Sequence, residues 1–173
     1  MWKAILSPDF FSTILRSATP ILFATLASAI AAKSGICNMA LEGIMLFSAL
    51  FGVIFSSLTH SAWLGLLITM VIGGLIGMIL AFFILNLKTD EILAAIAINL
   101  TATGGTVLIM VAFSGDRGVS SSIRSVSAPT VTLPLIEKIP FIGSVLSGQN
   151  VLTWLAILAV ILLHLFLYKT PLG

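Results

Sequence analysis

Polar side chains placed inside long apolar stretches are the residues of this chain with the most potential for chemistry. Glu42 lies about six residues into the apolar stretch 36–58, and Asn38 precedes it by four residues, so a helix would place both on one face. An ionisable group at that depth in a membrane is costly unless it faces protein or water. Such a face could line a pathway for a polar solute or stabilise a broken helix. Alternatively, Glu42 is an interfacial carboxyl group, neutral or paired with Lys33, that only orients its helix.

A second polar set lies in a later apolar stretch. Asn99, Thr103 and Thr106 follow one another at intervals of four and three residues, so they also share one helical face. Side chains of this kind can line a translocation pathway, and they can equally form hydrogen bonds that hold neighbouring membrane helices together. Both interpretations stay open for Asn99, Thr103 and Thr106.

Small residues indicate where helices could pack closely. Gly73 and Gly77 form a small-xxx-small pair in the third apolar stretch. This spacing lets another helix approach the backbone, but it is too frequent to predict dimerisation. We therefore expect Gly73 and Gly77 to belong to a helix-packing face.

The sequence contains no pattern typical of catalysis. It has no Gly-rich phosphate loop, no Ser/His/Asp set and no cluster of metal ligands. Its single cysteine, Cys37, excludes an internal disulfide and a Cys-based zinc site. His164 lies near the end of the last apolar stretch, where it could relay protons or bond a neighbouring helix. We predict that the chain is not an enzyme, with no catalytic residues, no metal and no cofactor.

The composition defines the elements that must position these side chains. Of 173 residues, 8 are Lys or Arg and 6 are Asp or Glu, so 8% are charged, whereas 59% are hydrophobic. A soluble domain has about 25% charged residues. So few charges exclude a soluble enzyme or nucleic-acid-binding protein, and they predict a multi-pass protein of the cell membrane, inner or plasma. The net charge of +2 gives no indication of a polyanionic partner.

Breaks at charges, prolines and polar clusters divide the chain into about five apolar segments, each long enough to cross a bilayer. The sequence thus predicts an all-α bundle of transmembrane helices in one domain, residues 1–173. A long polar stretch, 114–150, precedes the last span. The predicted spans are 11–32, 36–58, 62–85, 92–113 and 151–168.

Three motifs resemble one family of membrane transport proteins. Residues 34–45 have the sequence Ser-Gly-Ile-Cys-Asn-Met-Ala-Leu-Glu-Gly-Ile-Met, residues 97–100 are Ala-Ile-Asn-Leu, and residues 169–173 are Lys-Thr-Pro-Leu-Gly. In this order they resemble the motifs of ABC importer permeases of the nucleoside and basic-membrane-protein type. These permeases belong to the branched-chain amino-acid and simple-sugar permease family.

The resemblance implies a permease subunit of an ATP-driven importer for nucleosides or simple sugars. Such a permease pairs with a second permease subunit and sits on cytoplasmic ATP-binding subunits. An extracytoplasmic substrate-binding protein delivers the solute. Binding and hydrolysis of ATP open the central cavity alternately to the two sides, and the permease itself performs no chemistry.

The resemblance also implies an orientation in the membrane and a permease longer than this chain. The family topology places the Lys33 and Lys88 loops in the cytoplasm and 114–150 outside, whereas a count of basic residues favours the opposite orientation. We expect the family's orientation. In the family a basic stretch and a helix that docks on the ATPase follow the last motif, so we expect this chain, which stops at Gly173, to be the N-terminal part of a permease.

Two other functions fit five spans and this length. One is a small structural subunit of a membrane redox complex, with Glu42 and His164 as proton-relay groups. The other is half of a secondary transporter, which would use an ion gradient rather than ATP. The motifs at 34–45 and 169–173 favour the permease.

Overall fold

A computed structural model describes residues 7–115, 123–131 and 148–169. These residues form five helices and one short antiparallel pair of strands. The elements are α1 (Pro8–Lys33), α2 (Leu41–Thr59), α3 (Ala62–Leu85), α4 (Glu91–Ser114), β1 (Thr130–Val131), β2 (Gln149–Asn150) and α5 (Val151–Lys169). All five helices of the described part are long and apolar enough to cross a membrane. The predicted all-α, multi-pass architecture is therefore confirmed.

The largest difference from the predicted spans lies at the start of α2. The predicted span began at residue 36, but the helix begins at Leu41, and residues 34–40 are turns and irregular backbone. Gly35 has a φ of +83°, and the Asn38 side chain accepts a hydrogen bond from the Ala40 N–H at 3.1 Å. Both features compete locally with a helix. We call residues 34–40 the pre-helical segment.

The late start of α2 changes the setting of Glu42. Glu42 is the second residue of α2 rather than a residue about six positions inside it. Asn38 lies before the helix, so the predicted helical face of Asn38 and Glu42 does not form. The expected depth of Glu42 along α2 was wrong for this reason.

Local capping explains the bounds of α4. The Asp90 side chain accepts hydrogen bonds from the N–H groups of Ile92 at 2.9 Å and Leu93 at 3.1 Å, which satisfies two free donors at the helix start. The helix ends at Ser114 and is followed by Gly115, whose φ of 75° is favourable for glycine. The predicted loop 114–150 begins here; its residues 116–122 and 132–147 lie outside the described part of the chain.

The helices α2, α3 and α4 belong to one compact unit, Ser34–Ser127. Successive helices run antiparallel because short connections join them, so α2 and α4 run in the same direction. Buried residues from the pre-helical segment, α3 and α4 form a core. These are Ala40, Leu80, Ala94 and Ala95.

The closest contact between α2 and α3 is made by glycines that the sequence analysis did not single out. A Cβ atom built on Gly65 would lie 2.8 Å from Ser56 Cβ and 2.9 Å from the Gly52 carbonyl oxygen. A Cβ atom on Gly52 would in turn clash with the Thr69 hydroxyl group. The two backbones therefore approach so closely at Gly65 that only glycine fits there, and a larger residue at Gly52 would displace the Thr69 hydroxyl group.

Gly73 and Gly77, which we predicted to belong to one packing face, differ in their surroundings. A Cβ atom on Gly73 would lie 3.0 Å from Ser48 Oγ, so this glycine faces α2. A Cβ atom on Gly77 would meet no atom of the described residues within 4 Å. Within the described part of the chain, Gly73 contacts another helix closely and Gly77 does not.

The second unit comprises Met1–Lys33 and Ala128–Gly173, and it contains α1, α5 and the two strands. Thr19 of α1 and Thr153 of α5 share a buried hydrogen bond of 3.0 Å. Nearer the start of α1, Gln149 Nε2 donates to the Ser12 carbonyl oxygen at 3.2 Å. Contacts thus follow the same order along both helices, and α1 and α5 are parallel.

Candidate functional site

Asn99 of α4 binds the start of α2. Its Oδ1 accepts a hydrogen bond from the Gly43 N–H at 2.8 Å, and its Nδ2 donates to the Met39 carbonyl oxygen at 3.0 Å. The first N–H groups of a helix have no partner inside the helix. One side-chain amide therefore satisfies a donor in the first turn of α2 and an acceptor just before it.

A second side chain of α4 binds the pre-helical segment nearer to the end of the bundle. Glu91 Oε2 accepts a hydrogen bond from the Cys37 N–H at 2.9 Å. Asn99 lies eight residues beyond Glu91, about 12 Å along the helix axis at 1.5 Å per residue. The pre-helical segment therefore runs beside α4 from its first turn inward.

Backbone groups at membrane depth need partners within the protein, because lipid tails offer none. Here the partners of non-helical backbone are the side chains of Glu91, Asn99 and Asn38. Ala40, at the end of the pre-helical segment, is fully buried. The break before α2 is thus an ordered element that protein groups satisfy.

Gly43 permits this arrangement. A Cβ atom at Gly43 would lie 2.8 Å from Asn99 Oδ1 and 3.0 Å from the Ile98 carbonyl oxygen. Any larger residue would push α4 away and stretch the hydrogen bond to Asn99. Neither Gly43 nor Glu91 was predicted from the sequence as a contact residue. The only signal for Gly43 was its place in the Leu-Glu-Gly motif.

Glu42 is exposed, although it stands next to the buried Gly43. Its carboxyl group forms no hydrogen bond or ion pair with any described residue. A negative charge in the first turn interacts favourably with the helix dipole. Glu42 therefore stands beside the Asn99 contact with its carboxylate accessible.

The remaining predicted residues of α4 differ in their contacts. Thr103 is exposed, and its hydroxyl group donates to the Asn99 carbonyl oxygen at 2.8 Å. Thr106 is buried and donates to the Ala102 carbonyl oxygen at 2.7 Å. Among the described residues, Asn99 alone of these three bonds a different helix through its side chain.

Neither Cys37 nor His164 belongs to a cluster of ligands. In the regions covered by the structure, no group of three or more His, Cys, Asp or Glu residues could hold a metal ion. The His164 ring instead lies 5.1 Å from the Tyr168 ring, measured between centroids.

Five apolar helices and an ordered, non-helical break between two of them define a multi-pass integral membrane protein with a polar site beside the break. Over residues 10–173 the sequence matches the family described as the permease component of the branched-chain amino acid transport system. The chain belongs to this family of transport permeases.

Three curated relatives are similar to this chain in sequence. The chain is 30% identical over 171 residues to a nucleoside ABC transporter permease protein of Lactococcus lactis, covering 94% of this chain and 52% of the relative. It is 28% identical over 163 residues to a guanosine ABC transporter permease protein of Bacillus subtilis, covering 90% and 50%. A Haloferax volcanii protein, provisionally named a glucose ABC transporter permease, is 29% identical, covering 92% and 47%. The chain spans about half the length of these relatives. No solved structure matches it.

Two of the three motifs behind the resemblance meet in the structure. The Ser-Gly to Gly-Ile-Met motif forms the pre-helical segment and the first turn of α2, and the Ala-Ile-Asn-Leu motif supplies Asn99. The third motif begins at Lys169, and its residues 170–173 lie outside the described part of the chain.

Proposed function

We propose that this chain contributes to the permease subunit of an ATP-driven importer for nucleosides or simple sugars, and that it catalyses no covalent reaction. The family match and the names of the relatives support this function. The structural observation that carries the proposal is the pair of hydrogen bonds that Asn99 forms, donating to the Met39 carbonyl oxygen and accepting from the Gly43 N–H. The implied partners are a second permease subunit, cytoplasmic ATP-binding subunits and an extracytoplasmic substrate-binding protein.

The polar site suggests how the chain would take part in transport. Exposed Glu42 and Thr103 flank the Asn99 contact, so a polar solute passing this point finds hydrogen-bonding groups in an otherwise apolar bundle. The hydrogen bonds that Asn99 and Glu91 form connect the pre-helical segment and the start of α2 to α4. These two helices would therefore move together when the transporter alternates between its outward- and inward-open states.

Uptake by cells that express the full-length permease with its partner subunits tests the proposed function. Labelled guanosine and glucose should be compared after ATP depletion and after collapse of the ion gradients. We expect uptake to stop when ATP is depleted and to continue when only the gradients are collapsed. The opposite result would indicate a secondary transporter, and quinone-linked electron transfer without uptake would indicate a redox subunit.

Glu42→Ala should lower uptake about tenfold or more, because the passing solute would lose a hydrogen bond to the carboxylate. A hydrogen bond to a charged group contributes about 1.5–3 kcal/mol. Membrane insertion should not change, since Glu42 is exposed and bonds no described residue. The measurement is the initial rate of uptake at equal amounts of permease in the membrane. Asp9→Ala is the matched control, since it removes an exposed carboxylate from the first turn of α1. Wild-type uptake by Glu42→Ala would remove Glu42 from the pathway.

The proposed orientation can be tested by labelling single cysteines after replacement of Cys37 by serine. Ser125 is exposed in the stretch between α4 and α5, and Lys88 is exposed between α3 and α4. We expect Ser125→Cys to react with a membrane-impermeant maleimide in intact cells and Lys88→Cys to react only after permeabilisation. The reverse pattern would establish the orientation favoured by the count of basic residues.

A further inference from the structure

We propose that Lys33, Tyr168 and Lys169 form a binding site for the headgroup of an anionic phospholipid, where α1 and α5 end side by side. This site lies in the unit of α1 and α5, and it is distinct from the polar site around Asn99. The ligand is recognised by its phosphate and its net negative charge.

The geometry holds one cation over an aromatic ring. Lys33 Nζ lies 5.1 Å from the centroid of the Tyr168 ring, which is within the range of a cation–π interaction. The His164 ring lies against the same tyrosine in a tilted arrangement, with 5.1 Å between the centroids and an interplanar angle of 36°. Tyr168 is thus fixed by α5 on one side and in turn positions the lysine of α1.

The position along α5 matches the level of lipid headgroups. The helix has 19 residues, and Tyr168 is the one before its last. At 1.5 Å per residue α5 is about 28 Å long, close to the hydrocarbon thickness of about 30 Å. Tyrosine at a helix end is typical of the membrane interface, and Tyr168 is 68% exposed.

Among the described residues of this unit, no carboxylate lies at this end of the helix pair. Within the described residues of this unit, the one carboxylate side chain is Asp9, in the first turn of α1 and therefore at the opposite end of the helix pair. The last turns contain Lys33 and Lys169. A ring face attracts Lys33 but does not neutralise it. Within the described residues of this unit, two interfacial lysines that no carboxylate contacts, one of them over a tyrosine ring, complement a phosphate group.

Native mass spectrometry of the whole chain, released from nanodiscs with equal amounts of phosphatidylglycerol and phosphatidylcholine, tests the site. We expect wild-type protein to retain phosphatidylglycerol preferentially. Lys33→Gln and Lys169→Gln should each lower this preference about fivefold, since one interfacial lysine contributes about 1 kcal/mol. Tyr168→Leu should lower it without changing the charge, whereas Tyr168→Phe should keep most of it.

The controls distinguish a specific lipid-binding site from non-specific electrostatic attraction between lysines and anionic lipid. Lys88→Gln removes one exposed charge from the loop between α3 and α4, where no ring or charge of the described residues contacts it, so a preference that depends on the proposed site should change less than twofold. Helix content by circular dichroism identifies any variant that fails to fold. An equal effect of Lys88→Gln, or an unchanged preference in Lys33→Gln and Tyr168→Leu, would overturn the proposal. Displacement of the lipid by millimolar inorganic phosphate would also overturn it, since the ligand would then be free phosphate.

Discussion

Asn99→Ala is expected to reduce uptake by the full-length permease about 30-fold or more while the protein still inserts into the membrane. The substitution leaves the Gly43 N–H and the Met39 carbonyl oxygen without the amide that binds both. Gly43 is buried, and a buried backbone group without a partner costs about 1–3 kcal/mol. The pre-helical segment would therefore lose its fixed position beside α4. Initial uptake rates at matched membrane levels measure the effect.

Two further substitutions in α4 make this prediction specific. Thr103→Val is the matched control one turn away, because Thr103 is exposed and its hydroxyl group bonds only the carbonyl oxygen of Asn99 in its own helix. It should retain most of the uptake. Asn99→Asp keeps an acceptor for Gly43 but loses the donor to Met39, so it should also impair uptake. Equal uptake by Asn99→Ala and wild type would mean that this contact does not support transport.

Gly65→Ala is expected to destabilise the packing of α2 on α3 by about 1–3 kcal/mol, the usual cost of overfilling a packed contact. The added methyl group would lie 2.8 Å from Ser56 Cβ and 2.9 Å from the Gly52 carbonyl oxygen, and backbone atoms cannot move aside cheaply. Thermal unfolding of the chain in detergent, followed by circular dichroism, measures this loss.

Gly77→Ala is the matched control for Gly65→Ala, since it lies in the same helix and a Cβ atom there would meet nothing within 4 Å among the described residues. Alanine is favoured over glycine in a helix by up to about 1 kcal/mol, so this variant should be as stable as wild type or slightly more stable. If Gly77→Ala unfolds earlier than Gly65→Ala, α3 packs through the Gly73 and Gly77 face instead.

Much of the fold follows from the sequence because hydrophobic length alone limits what a membrane segment can be. The predicted spans 62–85 and 92–113 agree with α3 and α4 to within one residue at each end. The start of α2 could not be predicted in this way. Residues 36–40 are nearly as apolar as the helix that follows, so composition does not distinguish them from it. The helix is prevented there by tertiary hydrogen bonds and by the Asn38 side chain.

The sequence predicted which types of residue the candidate site contains, but not which residues contact each other in it. Asn99 was identified as a polar group inside a span, with a role in either solute passage or helix association. Its partners, Met39 and Gly43, lie 60 and 56 residues away in sequence. Nothing in the spacing of one helix specifies which residues of another helix its side chains meet. For the same reason the close contact of Gly52 with Gly65 was missed, and the pair Gly73 and Gly77 was favoured on spacing alone.

Hydrogen–deuterium exchange of the peptide that covers residues 37–43 tests most directly that Asn99 holds an ordered break before α2. The amides of Cys37, Met39, Ala40 and Gly43 all donate hydrogen bonds within the described structure. We predict slow exchange in the wild-type chain in nanodiscs, faster exchange in Asn99→Ala and unchanged exchange in Thr103→Val. Rapid exchange in wild type, or equal protection in wild type and Asn99→Ala, would contradict the account.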